Sequence, residues 1–102
     1  MKYQEISPKQ AMDLLQDKEP MLLDARDATS YKDGHIEGAM LVHDGLLEQI
    51  VRKRAHGTPV IIYCYHGNSS KDLAELIANF GYKEVYSVQG GFVEWRKAQA
   101  AA

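Results

Sequence analysis

Cysteine is almost missing from this chain of 102 residues: Cys64 stands alone. A lone thiol forms no internal disulfide, which excludes a small secreted fold held together by bridges. Long apolar runs are missing as well. None approaches the roughly 20 residues that cross a bilayer, so no membrane association is expected. Positions 1–10, MKYQEISPKQ, contain no apolar h-region, and no signal peptide is expected. Charge of one sign is not in excess either: the formal net charge is −2. The one basic cluster, Arg52-Lys53-Arg54, reads as a solvated helix face. Nothing therefore suggests a nucleic-acid partner. Four scattered histidines and one cysteine show no metal-ligand spacing, so neither a metal nor a cofactor is expected. The expectation left by these absences is a cytoplasmic protein whose thiol stays free.

What is present can build one modest core. Hydrophobic residues make up 45% and charged residues 25% of the chain, ordinary values for a globular domain. No repeat, linker or low-complexity tract interrupts it, so residues 1–102 read as a single domain. Ser7-Pro8 with Gln10 forms a capping box with proline at the first helical position. Ala11, Met12, Leu14 and Leu15 follow at helical spacing. Met21-Leu22-Leu23 predicts a buried strand, Asp27 to Asp33 a short helix closed by Gly34, and Gly38 to Val42 another short strand. Asp44 is expected to cap a helix with Leu46, Leu47, Ile50 and Val51 on one face, ending near Gly57. Val60-Ile61-Ile62-Tyr63 is β-branched, apolar and strand-like. Leu73, Ala74, Leu76, Ile77 and Phe80 form the next helical stripe, with Gly81 where a C-cap glycine belongs. Val85, Tyr86 and Val88 predict a last strand. Gly90-Gly91 breaks the chain before a short helix carrying Trp95, and the tail Ala98 to Ala102 reads as a frayed helix end. Apolar strands alternating with amphipathic helices predict an α/β fold, a parallel sheet with helices on both faces. Ligands in such sheets bind past the carboxyl ends of the strands, and Cys64 lies at such an end.

The loop after Cys64 is Tyr65-His66-Gly67-Asn68-Ser69-Ser70. A tight strand-to-helix loop can turn several backbone N–H groups inward, and Gly67 and Asn68 both tolerate the positive φ of such a nest. The first helical turn adds unpaired N–H groups and the positive end of its dipole. The result is an anion cradle with sulfur at its floor. The same field favours a thiolate, whereas a free cysteine is only a few per cent ionised at neutral pH. A depressed pKa is thus expected for Cys64. A single cysteine at a strand end is more often a small buried hydrophobe. The order strand, cysteine, glycine-containing loop, helix raises the nucleophile reading to even weight, and these residues alone name no reaction.

Four segments carry a resemblance: LLDARD at 22–27, GHIEGA at 34–39, CYHGNSS at 64–70 and GGFVEW at 90–95. Their order and spacing resemble the single-domain rhodanese family over nearly the whole chain, and CYHGNSS is the specific part, close to a signature of its short thiosulfate sulfurtransferases. The resemblance implies a rhodanese-like sheet of about five parallel strands. It implies that Cys64 is the catalytic nucleophile, and that Tyr65, His66, Gly67, Asn68, Ser69 and Ser70 bind substrate mainly through backbone N–H groups. Cys64 would take the sulfane sulfur of thiosulfate, release sulfite, and pass the persulfide sulfur to cyanide or a thiol. A thioredoxin-like dithiol protein is the acceptor that the family suggests.

Most rhodaneses place an arginine in this loop, where Ser69 stands. Backbone N–H groups, two hydroxyls and Lys71 are left for the anion, and thiosulfate is expected to bind weakly. Phosphatases that share the fold carry arginine six positions after the cysteine. Ser70 stands there and cannot grip a phosphate in bidentate fashion, which argues against phosphatase or arsenate reductase activity. Two alternatives remain. One is a relay carrier fed by a protein persulfide. The other is a non-catalytic rhodanese-like binding module, although such modules commonly lack the cysteine. By the same resemblance Asp24 and Arg26 form a structural pair and His35 has a packing or hydrogen-bonding role. Phe92 and Trp95 read as packing residues and Tyr65 as a pocket wall. His66 is expected to matter through its backbone, and His43 and His56 have no evident partner.

Overall fold

The structure, a computed structural model, describes residues 2–101. Its elements alternate along the chain as β1 (Gln4–Ile6), α1 (Pro8–Asp17), β2 (Met21–Asp24), α2 (Ala28–Asp33), β3 (Met40–Leu41), α3 (Asp44–Lys53), β4 (Val60–Tyr63), α4 (Ser69–Asn79), β5 (Val85–Val88) and α5 (Gly91–Ala101). The five strands form one sheet in the order β1-β5-β4-β2-β3. Every neighbouring pair is parallel. The α/β architecture with helices on both faces is the one the sequence predicts. No helix among the described residues is long and apolar enough to cross a membrane.

Alternation along the strands divides the core in two. Ile61 and Tyr63 face a cluster with Ile6, Ala11, Leu22, Val88 and Trp95. Val60 and Ile62 face the other, with Leu23, Ile50, Ala74, Ile77 and Val85. All four β4 residues have no solvent exposure. Each such aliphatic side chain contributes about 1.5–3 kcal/mol by leaving water. The central strand is thus fixed on both sides, and so is the point where it ends at Cys64.

Local signals hold at several termini. Ser7 accepts from the Gln10 N–H while the Gln10 side chain accepts from the Ser7 N–H, completing the capping box. Asp27 caps α2 and Gly34 closes it. Elsewhere the structure differs. β1 has no counterpart in the sequence reading, because Gln4 and Glu5 are exposed and only Ile6 is buried. The strand expected over 38–42 shortens to Met40–Leu41. Asp44 is the first residue of α3; its cap is His43, whose imidazole accepts from the Leu46 N–H at 3.2 Å. That helix stops at Lys53, well before Gly57, because Arg54 turns left-handed at φ 48°. Val51 and Leu76, assigned to buried stripes, are 41% and 42% exposed. Ala98 to Ala101 are helical, and Ala102 lies outside the described residues.

Candidate active site

β4 delivers Cys64 to the carboxyl edge of the sheet, where the thiol is 4% exposed. The Gly67 N–H donates to Sγ at 3.1 Å, and Ser70 Oγ lies 3.4 Å from Sγ. Gly67 reaches this position at φ +94°, and a Cβ there would sit 2.8 Å from the Gly90 nitrogen. Only glycine satisfies both the left-handed backbone and that close approach. Asn68 does not share the positive φ expected of it: at φ −93° and ψ −52° it already has helical geometry, without a side-chain cap. α4 therefore begins beside the sulfur and directs its positive end at it.

Burial pushes the Cys64 thiol up. The Ser70 hydroxyl and the backbone N–H groups of Ser70, Gly67 and Ser69 push it down by more, so its pKa lies below the ordinary thiol value. The depressed pKa is the direction expected from the sequence. Of the loop N–H groups, that of Gly67 makes a direct hydrogen bond to the sulfur, and those of Ser69 and Ser70 are among the groups that lower its pKa. The side chains of Tyr65 and His66 lie outside the cup, with exposed rings 5.1 Å apart. Lys71 pairs with Glu5 at 3.4 Å, so its ammonium is already partnered. Among the described residues, no group of three or more His, Cys, Asp or Glu side chains could hold a metal.

Two features of the site escaped the sequence reading. The first is Ser87. β4 and β5 pair with Ile62 opposite Ser87, and this register places the Ser87 hydroxyl 2.8 Å from Ser70 Oγ. A serine inside the apolar strand VYSV was the available signal. The second is the start of α5. Phe92 N–H donates to the Cys64 carbonyl at 2.8 Å and Val93 N–H to the Tyr65 carbonyl at 3.3 Å. Holding these carbonyls outward leaves the loop free to turn its N–H groups toward the sulfur. A Cβ on Gly91 would lie 2.4 Å from the Cys64 carbonyl oxygen, so the second glycine of the doublet is what allows the helix this close.

Asp24 and Arg26 form the buried pair expected of them. Asp24 has no exposure and accepts from Arg26 Nη2 at 2.7 Å, the Arg26 backbone N–H at 2.8 Å and Tyr63 Oη at 2.6 Å. Burial and the Asp24 carboxylate push the Tyr63 phenol up, so it stays a donor. Arg26 also donates to the Gly34 carbonyl at 2.6 Å and lies under the Phe92 ring at 4.1 Å. The pair ties β2, β4 and the segment after α2 together beneath the site. His35 stacks on Tyr31 at 3.8 Å and hydrogen-bonds its carbonyl. His56 packs edge-on against Tyr82. An open cleft of about 820 Å³ between α1, α5 and the segment after α2 includes Arg26, Tyr65, Phe92 and Trp95, but Cys64 does not line it.

Comparison with known proteins agrees with this geometry. A rhodanese-like domain family model matches residues 7–98. The thiosulfate sulfurtransferase GlpE of Tolumonas auensis is 42% identical over 91 residues, which cover 89% of this chain and 86% of that protein. GlpE of Coxiella burnetii is 38% identical over 96 residues, 94% of this chain and 90% of that protein. A rhodanese-related protein from Thermoplasma volcanium superposes with a TM-score of 0.76 at 21% identity, over 94% of this chain and 93% of that one, which speaks for the fold alone. A parallel sheet ending on a cupped thiol, a family match over most of the sequence and relatives of this identity lead to one conclusion: the chain belongs to the rhodanese family.

Proposed function

We propose that residues 1–102 work as one domain in the reducing cytoplasm and catalyse thiosulfate sulfur transfer through Cys64. The observation that carries the reading is a single buried thiol with a depressed pKa, held by the Gly67 N–H and the Ser70 hydroxyl at the start of an 11-residue helix. The names of the relatives at 42% and 38% identity support the substrate.

The Cys64 thiolate attacks the outer sulfur of thiosulfate. A new S–S bond forms, the S–S bond of thiosulfate breaks with its electron pair, and sulfite leaves. The enzyme retains a cysteine persulfide anion, so total charge is conserved. Cyanide then takes the outer sulfur as thiocyanate and regenerates the thiolate; a thiol, including a thioredoxin-like dithiol protein, is the corresponding cellular acceptor. Covalent storage splits one transfer into two easier displacements. The Gly67, Ser69 and Ser70 N–H groups and the helix dipole stabilise negative sulfur in the attacking and persulfide states. With no arginine in the loop and Lys71 held by Glu5, these dipoles carry the anion binding, and thiosulfate saturates weakly.

Intact-protein mass spectrometry after incubation with thiosulfate tests the reading. One added sulfur atom is expected, lost on adding cyanide with release of thiocyanate, and absent in Cys64→Ser. A folded wild-type protein that gains no sulfur from thiosulfate but accepts it from a protein persulfide would instead be a relay carrier. One that gains sulfur from neither would be a binding module.

A further inference from the structure

Beneath the thiol, three side-chain atoms lie in a row. Cys64 Sγ is 3.4 Å from Ser70 Oγ, which is 2.8 Å from Ser87 Oγ. Ser70 has no exposure and Ser87 1%, so water does not complete the row. Among the described residues, Ser87 Oγ has no side-chain hydrogen-bond partner except Ser70. Hydrogens can therefore be counted. With a neutral thiol there are three, on sulfur and two oxygens, for two links. One of them finds no acceptor within the row, whichever way the row points. With a thiolate there are two hydrogens for two links. Sulfur can only accept, so Ser70 must donate to it. Ser70 then accepts from Ser87, because a hydroxyl has one hydrogen to give.

We infer that Ser87 is a positioning residue for the sulfur chemistry: by donating to Ser70 it turns the Ser70 hydrogen onto Cys64 and favours anionic sulfur. A buried donor without a partner is costly, and the row has one only while sulfur carries a proton. Without Ser87, nothing in the row fixes which way the Ser70 hydrogen points, because the hydroxyl rotates to suit its partners. The donation also polarises the Ser70 O–H, strengthening its bond to sulfur. Ser87 is set by strand register opposite Ile62, so it is held on a rigid strand while the loop bears the remaining donors. The catalytic meaning of this inference rests on the proposed role of Cys64; the effect on the thiol itself does not.

The test is the pH dependence of Cys64 alkylation by iodoacetamide in wild type, Ser87→Thr, Ser87→Val, Ser70→Ala and the double variant Ser70→Ala with Ser87→Val. Thr and Val have nearly the same shape, so any packing defect is common to both and only the hydroxyl differs. At neutral pH, Ser87→Val is expected to react about threefold more slowly than Ser87→Thr, and Ser70→Ala about tenfold more slowly than wild type. The double variant should match Ser70→Ala, because Ser87 acts through Ser70. At alkaline pH, where every thiol is ionised, the rates should converge. Equal profiles for Thr and Val, additive losses in the double variant, or rate differences that persist at alkaline pH would each overturn the inference. Mass spectrometry on the same samples after thiosulfate treatment separates the two claims. Shifted alkylation profiles without persulfide in wild type would leave the hydroxyl row standing and remove sulfur transfer from thiosulfate; persulfide with unshifted profiles would do the reverse.

Discussion

Gly91→Ala should both unfold the domain more easily and disable the sulfur cup. Gly91 has φ +60°, and an added Cβ would meet the Cys64 carbonyl oxygen at 2.4 Å and the Tyr65 carbonyl carbon and oxygen at 2.7 Å. The left-handed backbone costs a residue with a Cβ about 1–2 kcal/mol. The obstructing atoms are backbone of the loop itself, so relief requires the α5 start to move away. That movement lengthens or breaks Phe92 N–H to Cys64 and Val93 N–H to Tyr65, at 2.8 and 3.3 Å. Two hydrogen bonds at about 0.5–1.5 kcal/mol each bring the expected loss to about 2–5 kcal/mol. For a domain of this size that lowers Tm by at least about 8 °C. Urea unfolding gives the stability, and the rate of persulfide formation from thiosulfate gives the function. Gly57→Ala is the control: nothing lies within 4 Å of its would-be Cβ and its φ is outside the left-handed region, so stability should hold or rise slightly. A Gly91→Ala protein within about 0.5 kcal/mol of wild type would refute the reasoning. In that case α5 does not clamp the loop.

Three further outcomes follow from the same geometry. Asp24→Ala strands the Arg26 guanidinium, whose side chain is only 3% exposed, and should cost about 3–5 kcal/mol in urea unfolding; a loss under about 1 kcal/mol would show the pair to be dispensable. The folded pKa of Cys64 lies below its unfolded value, so the thiolate contributes stability that is present above the unfolded thiol range and fades as pH falls through the folded pKa. Wild type should therefore gain on Cys64→Ser in denaturant titrations as pH rises toward about 8.5, and a gap that stays flat or narrows would contradict the cup. His43→Ala removes the α3 cap and should lower stability by about 0.5–1.5 kcal/mol, with His43→Ser restoring it; thermal melts that do not distinguish alanine from serine would show that the imidazole does no capping.

The parts of the fold legible in the sequence are those whose causes lie within a few residues. The capping box joins Ser7 to Gln10, three positions away. The apolar run 60–63 declares a strand buried on both faces, and its end places the thiol at the sheet edge. Gly67 and the helix that follows announce an anion cup. β1 was not legible because a three-residue edge strand with two exposed side chains has no periodicity to read. Asn68 misled because tolerance of positive φ is not a requirement for it; as the residue just before α4 it takes helical φ and ψ instead. His43 went unread as a cap because imidazole is an uncommon acceptor at that position, and whether it accepts depends on how the chain leaves β3.

Composition and local pattern alone therefore settle that this is an α/β domain with one thiol at the carboxyl end of a buried strand, because burial periodicity and turn chemistry are short-range. They do not settle what surrounds the sulfur. Ser87 reaches Ser70 only through the register of β4 with β5, and α5 meets the Cys64 carbonyl only after the chain has crossed the sheet. Contacts between residues 17 to 28 positions apart depend on strand pairing and helix docking, which the packed core selects, and no local segment encodes them.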